Sequence, residues 1–409
     1  MTAARSSIVG TWRMLVDDGR KSAVLIIICA LTTRVLAAVV LPDQGALLPD
    51  AASYREAAAH LATYWRIDNP FEMPLYPLLI AITGPGYPQL AADIVLSVLT
   101  ALVTRSLALD IFKDRQTATI AGLAVAFYPP LIFISVTGLS ETLFIFLVMS
   151  AFLFWYRAQF VAAAICVVLA ILTRPVLDAA APLLVIYFAT VIHRQSAKQT
   201  IRHILSYAAI YVALMSPWWM HNYRAYHEFV RLTPGFGTAL YAGNNPLNHS
   251  GGGNLGEDYD TTTFDVIPDP IVRDRALRDA AINFIWQNPG RFVELAAKKF
   301  VRMWRLWPHH PGYSGAAATI LTFLSITPVI LLAFAYLLFL RPPEILMRTT
   351  PTLLFIVYYT AVHMIIVGTI RYRLPLEPLL IMFAAATVAD AIRRLLHDGM
   401  ESKELVEVK

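Results

Sequence analysis

Charge is scarce in this sequence. Only 15% of its 409 residues are Asp, Glu, Lys or Arg, 57% are hydrophobic, and the mean hydropathy is +0.57. Soluble domains carry about 25% charge, and a soluble chain this apolar would expose large adhesive patches. A soluble globular enzyme is thereby excluded, and a polytopic membrane protein is the class that fits. Cysteine is nearly absent: Cys29 and Cys166 both lie inside apolar runs, which excludes a disulfide framework or a cysteine zinc site. No phosphate-binding P-loop, dinucleotide fingerprint, zinc-protease motif or nucleophile elbow occurs, which disfavours ATP-driven or cytoplasmic nucleotide-sugar chemistry. The composition gives nucleic acid no support as a partner. The net charge of +5 reflects Lys and Arg in cytoplasmic loops.

What the chain has is apolar runs. Ten spans are read at about 22–41, 89–112, 117–135, 140–156, 159–173, 176–192, 204–220, 313–340, 351–369 and 376–395. Arg5, Arg13, Arg20 and Lys21 precede the first, which reads as an uncleaved signal-anchor with a cytoplasmic N-terminus. Lys113, Arg115, Arg157, the 193–203 cluster, Arg341, Arg348, Arg393 and Arg394 then mark the inner turns and place the C-terminus inside as well. Three parts follow: residues 1–220 with a first external loop at 42–88, a second external segment at 221–312, and the last spans with a short tail at 313–409. In the first loop, Ala51–Tyr64 reads as a small-residue helix with Asp50 as its N-cap. Met73–Ile80 is apolar but too short to cross, so it reads as interfacial or re-entrant. The second segment starts glycine-rich and then forms helices at about 270–287 and 289–305, the latter basic and aromatic as suits the headgroup level.

Two isolated acids stand on the outer side. Asp50 follows the first span and Glu141 opens the fourth. A helix N-terminus favours an anion, which suits Asp50 as a base or an orienting carboxylate rather than a proton donor; a plain helix cap is the alternative. An acid at a span entrance costs about 2–3 kcal/mol if it faces lipid at depth, so Glu141 is expected to face a cavity or a cation, or to cap its helix. Arg371 and Arg373, on alternate residues of a segment read as extended, are expected to share a face and form a lipid-phosphate clamp. The alternative is contact with ordinary headgroups. Arg174 ends the fifth span and Arg224 follows the Pro217-Trp218-Trp219 belt; both are further phosphate candidates. Tyr54, Tyr372, Asn244 and Asn245 are candidate substrate contacts, although Asn-Asn-Pro is also ordinary turn chemistry. Arg34, inside the first span, is functional by default or paired structurally, and His363 reads as a satisfied core histidine. His309-His310 lacks further ligands, so no metal site is indicated and no cofactor is called for. Asn248-His249-Ser250 fits a glycosylation sequon.

These pieces, in this order, resemble the integral-membrane GT-C glycosyltransferases, in the branch of protein O-mannosyltransferases and bacterial aminoarabinose or hexuronosyl transferases. The resemblance runs through Asp50 with Tyr54, Met73-Pro74-Leu75-Tyr76-Pro77, Tyr128-Pro129-Pro130, Glu141, Leu172-Thr173-Arg174-Pro175, Pro217-Trp218, Asn222-Tyr223-Arg224, Gly243-Asn244-Asn245-Pro246 and Arg371-Tyr372-Arg373-Leu374-Pro375. It implies an all-α GT-C fold with juxtamembrane helices framing an external cavity. It also implies a polyprenyl-phosphate sugar donor, an inverting transfer to a glycan, lipid or protein acceptor, and membrane lipids as surroundings, at a bacterial cytoplasmic membrane with the site periplasmic or extracellular. It makes Asp50 the catalytic position and Glu141 its companion. Two departures set this chain apart: Glu72-Met73 stands where some relatives carry a donor-binding lysine, and Asp50 follows a proline where others have paired acids. With a short C-terminal tail, acceptor binding falls to the external loops. Two rival readings are a flippase or transporter of a lipid-linked sugar, and an O-antigen ligase or polymerase.

Overall fold

The structure is a computed structural model that describes residues 16–41, 48–67, 72–308, 315–340 and 342–407. Arg5, Arg13, Arg341 and the His309-His310 pair lie outside the described residues.

Each expected span is helical over most of its described length. The first, α1 (Gly19–Val40), is capped by Asp18, whose carboxylate accepts the backbone N–H of Arg20 and Lys21. The segment after α1, expected to be external, supplies α2 (Pro49–Tyr64) and the short α3 (Leu75–Thr83). Next come α4 (Tyr87–Phe112) and α5 (Arg115–Phe127), which is broken from α6 (Pro129–Ile134) by the two prolines after Tyr128. Then α7 (Glu141–Tyr156) and α8 (Phe160–Thr173) run back and forth. The expected 176–192 span is a 3₁₀ turn, α9 (Ala181–Tyr187) and a π turn. The seventh span extends at both ends to make α10 (Ala197–Tyr226), opened by a Ser196–Gln199 capping box.

The segment after α10 carries α11 (Phe236–Gly243), α12 (Pro270–Gln287) and α13 (Pro289–Met303), the last two within two residues of expectation. The chain ends with α14 (Ala316–Ala335), α15 (Pro343–Ile365), a 3₁₀ turn over Ile370–Leu376 and α16 (Glu377–Glu407). Apart from one isolated bridge, Leu255 to Tyr259, no strand occurs among the described residues. Among the described residues four helices, α1, α4, α14 with its π turn, and α15, are long and apolar enough to cross a membrane.

Helix α7 is apolar around its whole circumference, and such a helix belongs inside. Thirteen of its residues are buried, between α4 and α8. Around this axis α4 packs on α5, and α16 packs on α5 and α14; α10 closes over α8. The central position of α7 carries its first residue, Glu141, to the middle of one end of the bundle. At the other end the basic turns gather. Arg157 pairs with Asp110 at 2.7 Å, and Arg393 with Asp114 at 2.8 Å. Arg105 donates to Ser22 Oγ at 2.8 Å.

The buried Arg34 has a structural partner that is not an acid. Its guanidinium donates to the carbonyls of Val125 (3.0 Å) and Ala126, and to Ser97 Oγ (3.1 Å). Those carbonyls would bond the N–H of residues 129 and 130 in a continued helix, and both are prolines. Arg34 therefore supplies the donors that the proline pair removes.

Candidate active site

Four side chains from four separate elements meet at the N-terminal end of α7. Glu141, only 1% exposed, uses both carboxylate oxygens. Arg371, from the 3₁₀ turn, donates from Nε to Oε1 and from Nη2 to Oε2 at 3.1 Å, a forked pair. Arg174, at the end of α8, donates to Oε1 at 2.8 Å and to Ser140 Oγ at 3.3 Å. The remaining arm of Arg371 reaches Asp50: Nη1 donates to Oδ2 at 2.5 Å. The sequence along this chain of ions is Arg174, Glu141, Arg371, Asp50, and its formal charges cancel. Burial alone would pull both guanidinium groups down, but the carboxylates beside them hold Arg371 and Arg174 above their ordinary values, so both are permanent cations.

Aromatic groups line the cations. Tyr372 lies beneath Arg174, whose guanidinium is 5.5 Å from the ring centroid. His363 backs Tyr372 at 4.7 Å and Tyr359 at 4.5 Å, and its Nδ1 faces the Tyr359 carbonyl at 2.8 Å. It is a packed and satisfied histidine, as read from the sequence. Tyr54, one turn along α2 from Asp50, shares a 2.9 Å hydrogen bond with Ser140. Its ring meets Tyr76 of α3 edge-on at 5.1 Å. Thus α2 and α3 are locked to the entrance of α7.

No family model and no curated protein matches the chain. Solved structures do. The apo oligosaccharyltransferase of Archaeoglobus fulgidus aligns over 93% of this chain and 52% of its own, with 12% identity and a TM-score of 0.55. The same enzyme tethered to an acceptor peptide containing the NVT sequon aligns over 91% of this chain and 50% of its own (14% identity, TM-score 0.53). The archaeal oligosaccharyltransferase AglB, with an inhibitory peptide and a dolichol-phosphate, aligns over 93% and 52% (14% identity, TM-score 0.52). This is the GT-C fold. The chain spans about half the length of these structures, and at such identity the likeness is one of fold.

Within the GT-C fold several expected site residues are placed elsewhere. Asp50 is not the N-cap of α2; Leu48 holds that position, Pro49 is the first helical residue, and the Asp50 side chain makes no cap bond. That leaves the carboxylate free to turn toward Arg371. Arg373 does not join Arg371. The segment is a 3₁₀ turn rather than extended, and at about 120° per residue alternate side chains diverge. Arg373 is fully buried, pairs with Glu377 at 2.6 Å, and donates to the carbonyls of Met303 (3.1 Å) and Arg305 (2.9 Å). Its role is to brace α13 against α16. Asn244 and Asn245 are fully buried and committed to protein partners. Asn244 donates to the carbonyls of Leu240 and Ile365, both at 2.8 Å, while Asn245 accepts the backbone N–H of Leu247 and Asn248. They build a turn, so the substrate-contact expectation is corrected. Asn248 is likewise buried, its amide donating to Ala242 and Gly252, which is no place for a glycan. Arg224 is exposed at the end of α10.

Sequence reading passed over three polar residues, Ser140, Tyr359 and Asp93, and took a fourth, Lys299, for part of a headgroup-level helix. Ser140 links Tyr54 and Arg174. Tyr359, wholly buried against His363, has a hydroxyl with no hydrogen-bond partner. Asp93, 1% exposed in α4, accepts from the Tyr76 hydroxyl at 2.8 Å. Lys299 is fully buried in α13. An acid inside an apolar run was the available signal for Asp93; the others look like ordinary loop or helix residues. No group of three or more His, Cys, Asp or Glu able to hold a metal is present among the described residues.

Proposed function

We propose that the chain is an inverting glycosyltransferase. It moves a sugar from a polyprenyl-phosphate donor to a glycan, lipid or protein acceptor at the outer face of a bacterial cytoplasmic membrane. The observation that carries this reading is the Asp50–Arg371–Glu141–Arg174 chain at one end of an apolar bundle. Its fold is also that of an archaeal enzyme solved once with a dolichol-phosphate and once with an acceptor peptide.

The chemistry follows from the charges. Asp50, half-exposed, takes or orients the acceptor proton. The acceptor heteroatom then forms its bond to the anomeric carbon as the bond from that carbon to the phosphate oxygen breaks. The polyprenyl phosphate leaves as an anion, so no acid is needed on that side. Arg371, with Arg174 behind it, takes up the charge that develops on the phosphate, the kind of preset electrostatic term that dominates many rate enhancements. Glu141 holds both guanidinium groups in place.

The test is mass spectrometry of envelope glycans and lipids from a deletion strain. One sugar residue is expected to disappear while its polyprenyl-phosphate donor accumulates. The wild-type chain restores the sugar; Asp50→Asn, present at equal level in the membrane, restores less than about 1% of it. Full restoration by Asp50→Asn would remove Asp50 from this role. An unchanged sugar set with accumulated inward-facing precursor would replace the enzyme by a flippase.

A further inference from the structure

We infer that the Asp50–Arg371 contact is a resting latch, opened by the donor phosphate, which arms Asp50 only after the donor has arrived. The inference rests on the glycosyltransferase reading and concerns regulation of the same site. Arg371 holds two carboxylates that differ in kind. Glu141 is 1% exposed and grips the guanidinium with both oxygens; Asp50 is 52% exposed and holds one nitrogen through one oxygen. Half-solvated single contacts are weak, whereas a buried forked pair is costly to break. An arriving anion therefore displaces Asp50 and leaves Glu141 in place. The exchange is like for like, since a phosphate oxygen accepts from Nη1 as a carboxylate oxygen does.

The consequence is an order of events. While Asp50 is held by Arg371, one of its oxygens is occupied by the guanidinium and is unavailable to an acceptor. Once a phosphodiester occupies that arm, Asp50 is released at the N-terminal turn of α2, one helical turn from Tyr54, and meets the acceptor hydroxyl or amine. Acceptor activation without a donor is suppressed by the same contact.

The test is binding, which does not require turnover. The purified full chain in detergent is titrated with geranylgeranyl phosphate by calorimetry. Arg371→Ala is expected to weaken binding by at least about tenfold. Asp50→Asn and Asp50→Ser are both expected to tighten it by about two- to fivefold, because the competing carboxylate is gone. Glu56→Gln removes an equal charge from the exposed side of the same helix, and it is expected to leave affinity within about 1.5-fold. If the Asp50 variants bind as the wild type does while Arg371→Ala binds weakly, the latch is wrong and the phosphate reading stands. If Glu56→Gln tightens binding as much as Asp50→Asn, the effect is bulk charge and the latch is again wrong. If Arg371→Ala binds unchanged, the phosphate reading itself fails, and the latch with it.

Discussion

Lys299 shows how a single residue can be written in the sequence and still be misread. In a basic, aromatic helix it looks like one more headgroup contact, yet it is fully buried. Its Nζ donates to Asn244 Oδ1 at 2.9 Å and to the Ile365 carbonyl at 3.0 Å. Its neighbours Lys298 and Arg302 donate instead to the His249 and Gly368 carbonyls, and Asp258 accepts from Ser250 and Asn254. Two neutral acceptors match the two N–H groups of an uncharged amine, and burial pulls the amine down to about 7 from its ordinary 10.5. Between those values the unfolded chain holds a proton that the folded chain does not. Stability therefore rises with pH through that window, and the penalty is complete below it. Lys299→Met removes the penalty. Thermal melting should show the variant gaining most over wild type near pH 6.5, with that gain shrinking by about 2–3 kcal/mol by pH 9.5. A constant difference would show that Lys299 does not titrate in this range.

At the scale of an element, the sequence reading took 117–135 as one span, and the structure breaks it into α5 and α6. Tyr128-Pro129-Pro130 announces a helix end, because proline cannot donate. Which residue satisfies the stranded carbonyls depends on α1 lying against α5, a tertiary fact. Arg34→Met is expected to lower stability by about 1–3 kcal/mol by leaving the Val125 carbonyl with no strong donor. Thr33 still serves Ala126 at 2.8 Å, which caps the loss. Arg34→Lys is expected to rescue only in part, since an ammonium lacks the planar fork that reaches Val125, Ala126 and Ser97 together; full rescue in a melting assay would show that charge alone mattered. The helices around 270–303 and the short α3 were legible to within a few residues, from prolines at their starts and from length. The 3₁₀ turn at Ile370–Leu376 was not, because its Arg-Tyr-Arg-Leu-Pro run is equally compatible with an extended strand.

For the whole molecule, the distribution of charge is the strongest statement. Arg157, Asp110, Arg393 and Asp114 gather at one end, and Asp50, Glu141, Arg174 and Arg371 at the other. The end whose turns also carry Lys113, Arg115 and Arg394 is expected to face the cytoplasm. With Cys29 and Cys166 replaced by Ser, Trp286→Cys in the exposed part of α12 should react with an impermeant maleimide in intact cells. Arg394→Cys in α16 should react only after permeabilisation. The opposite pattern would put the acid–arginine cluster inside the cell and exclude an external reaction. Within the bundle, Glu141 sits centrally because α7 has no polar face to show to solvent.

Apolar length and basic turns are local properties, so residues taken one window at a time were enough to mark the apolar helices, the two long segments between them, and Asp50, Glu141 and Arg174 as candidates. Contacts between elements are not local. Only the folded chain decided that Arg371 enters the cluster while Arg373 turns away, since a rotation of about 120° rather than 180° per residue separates the two. It alone decided that Asn244 and Asn245 close a buried turn, and that a proline-broken helix is mended by an arginine 91 residues away in sequence.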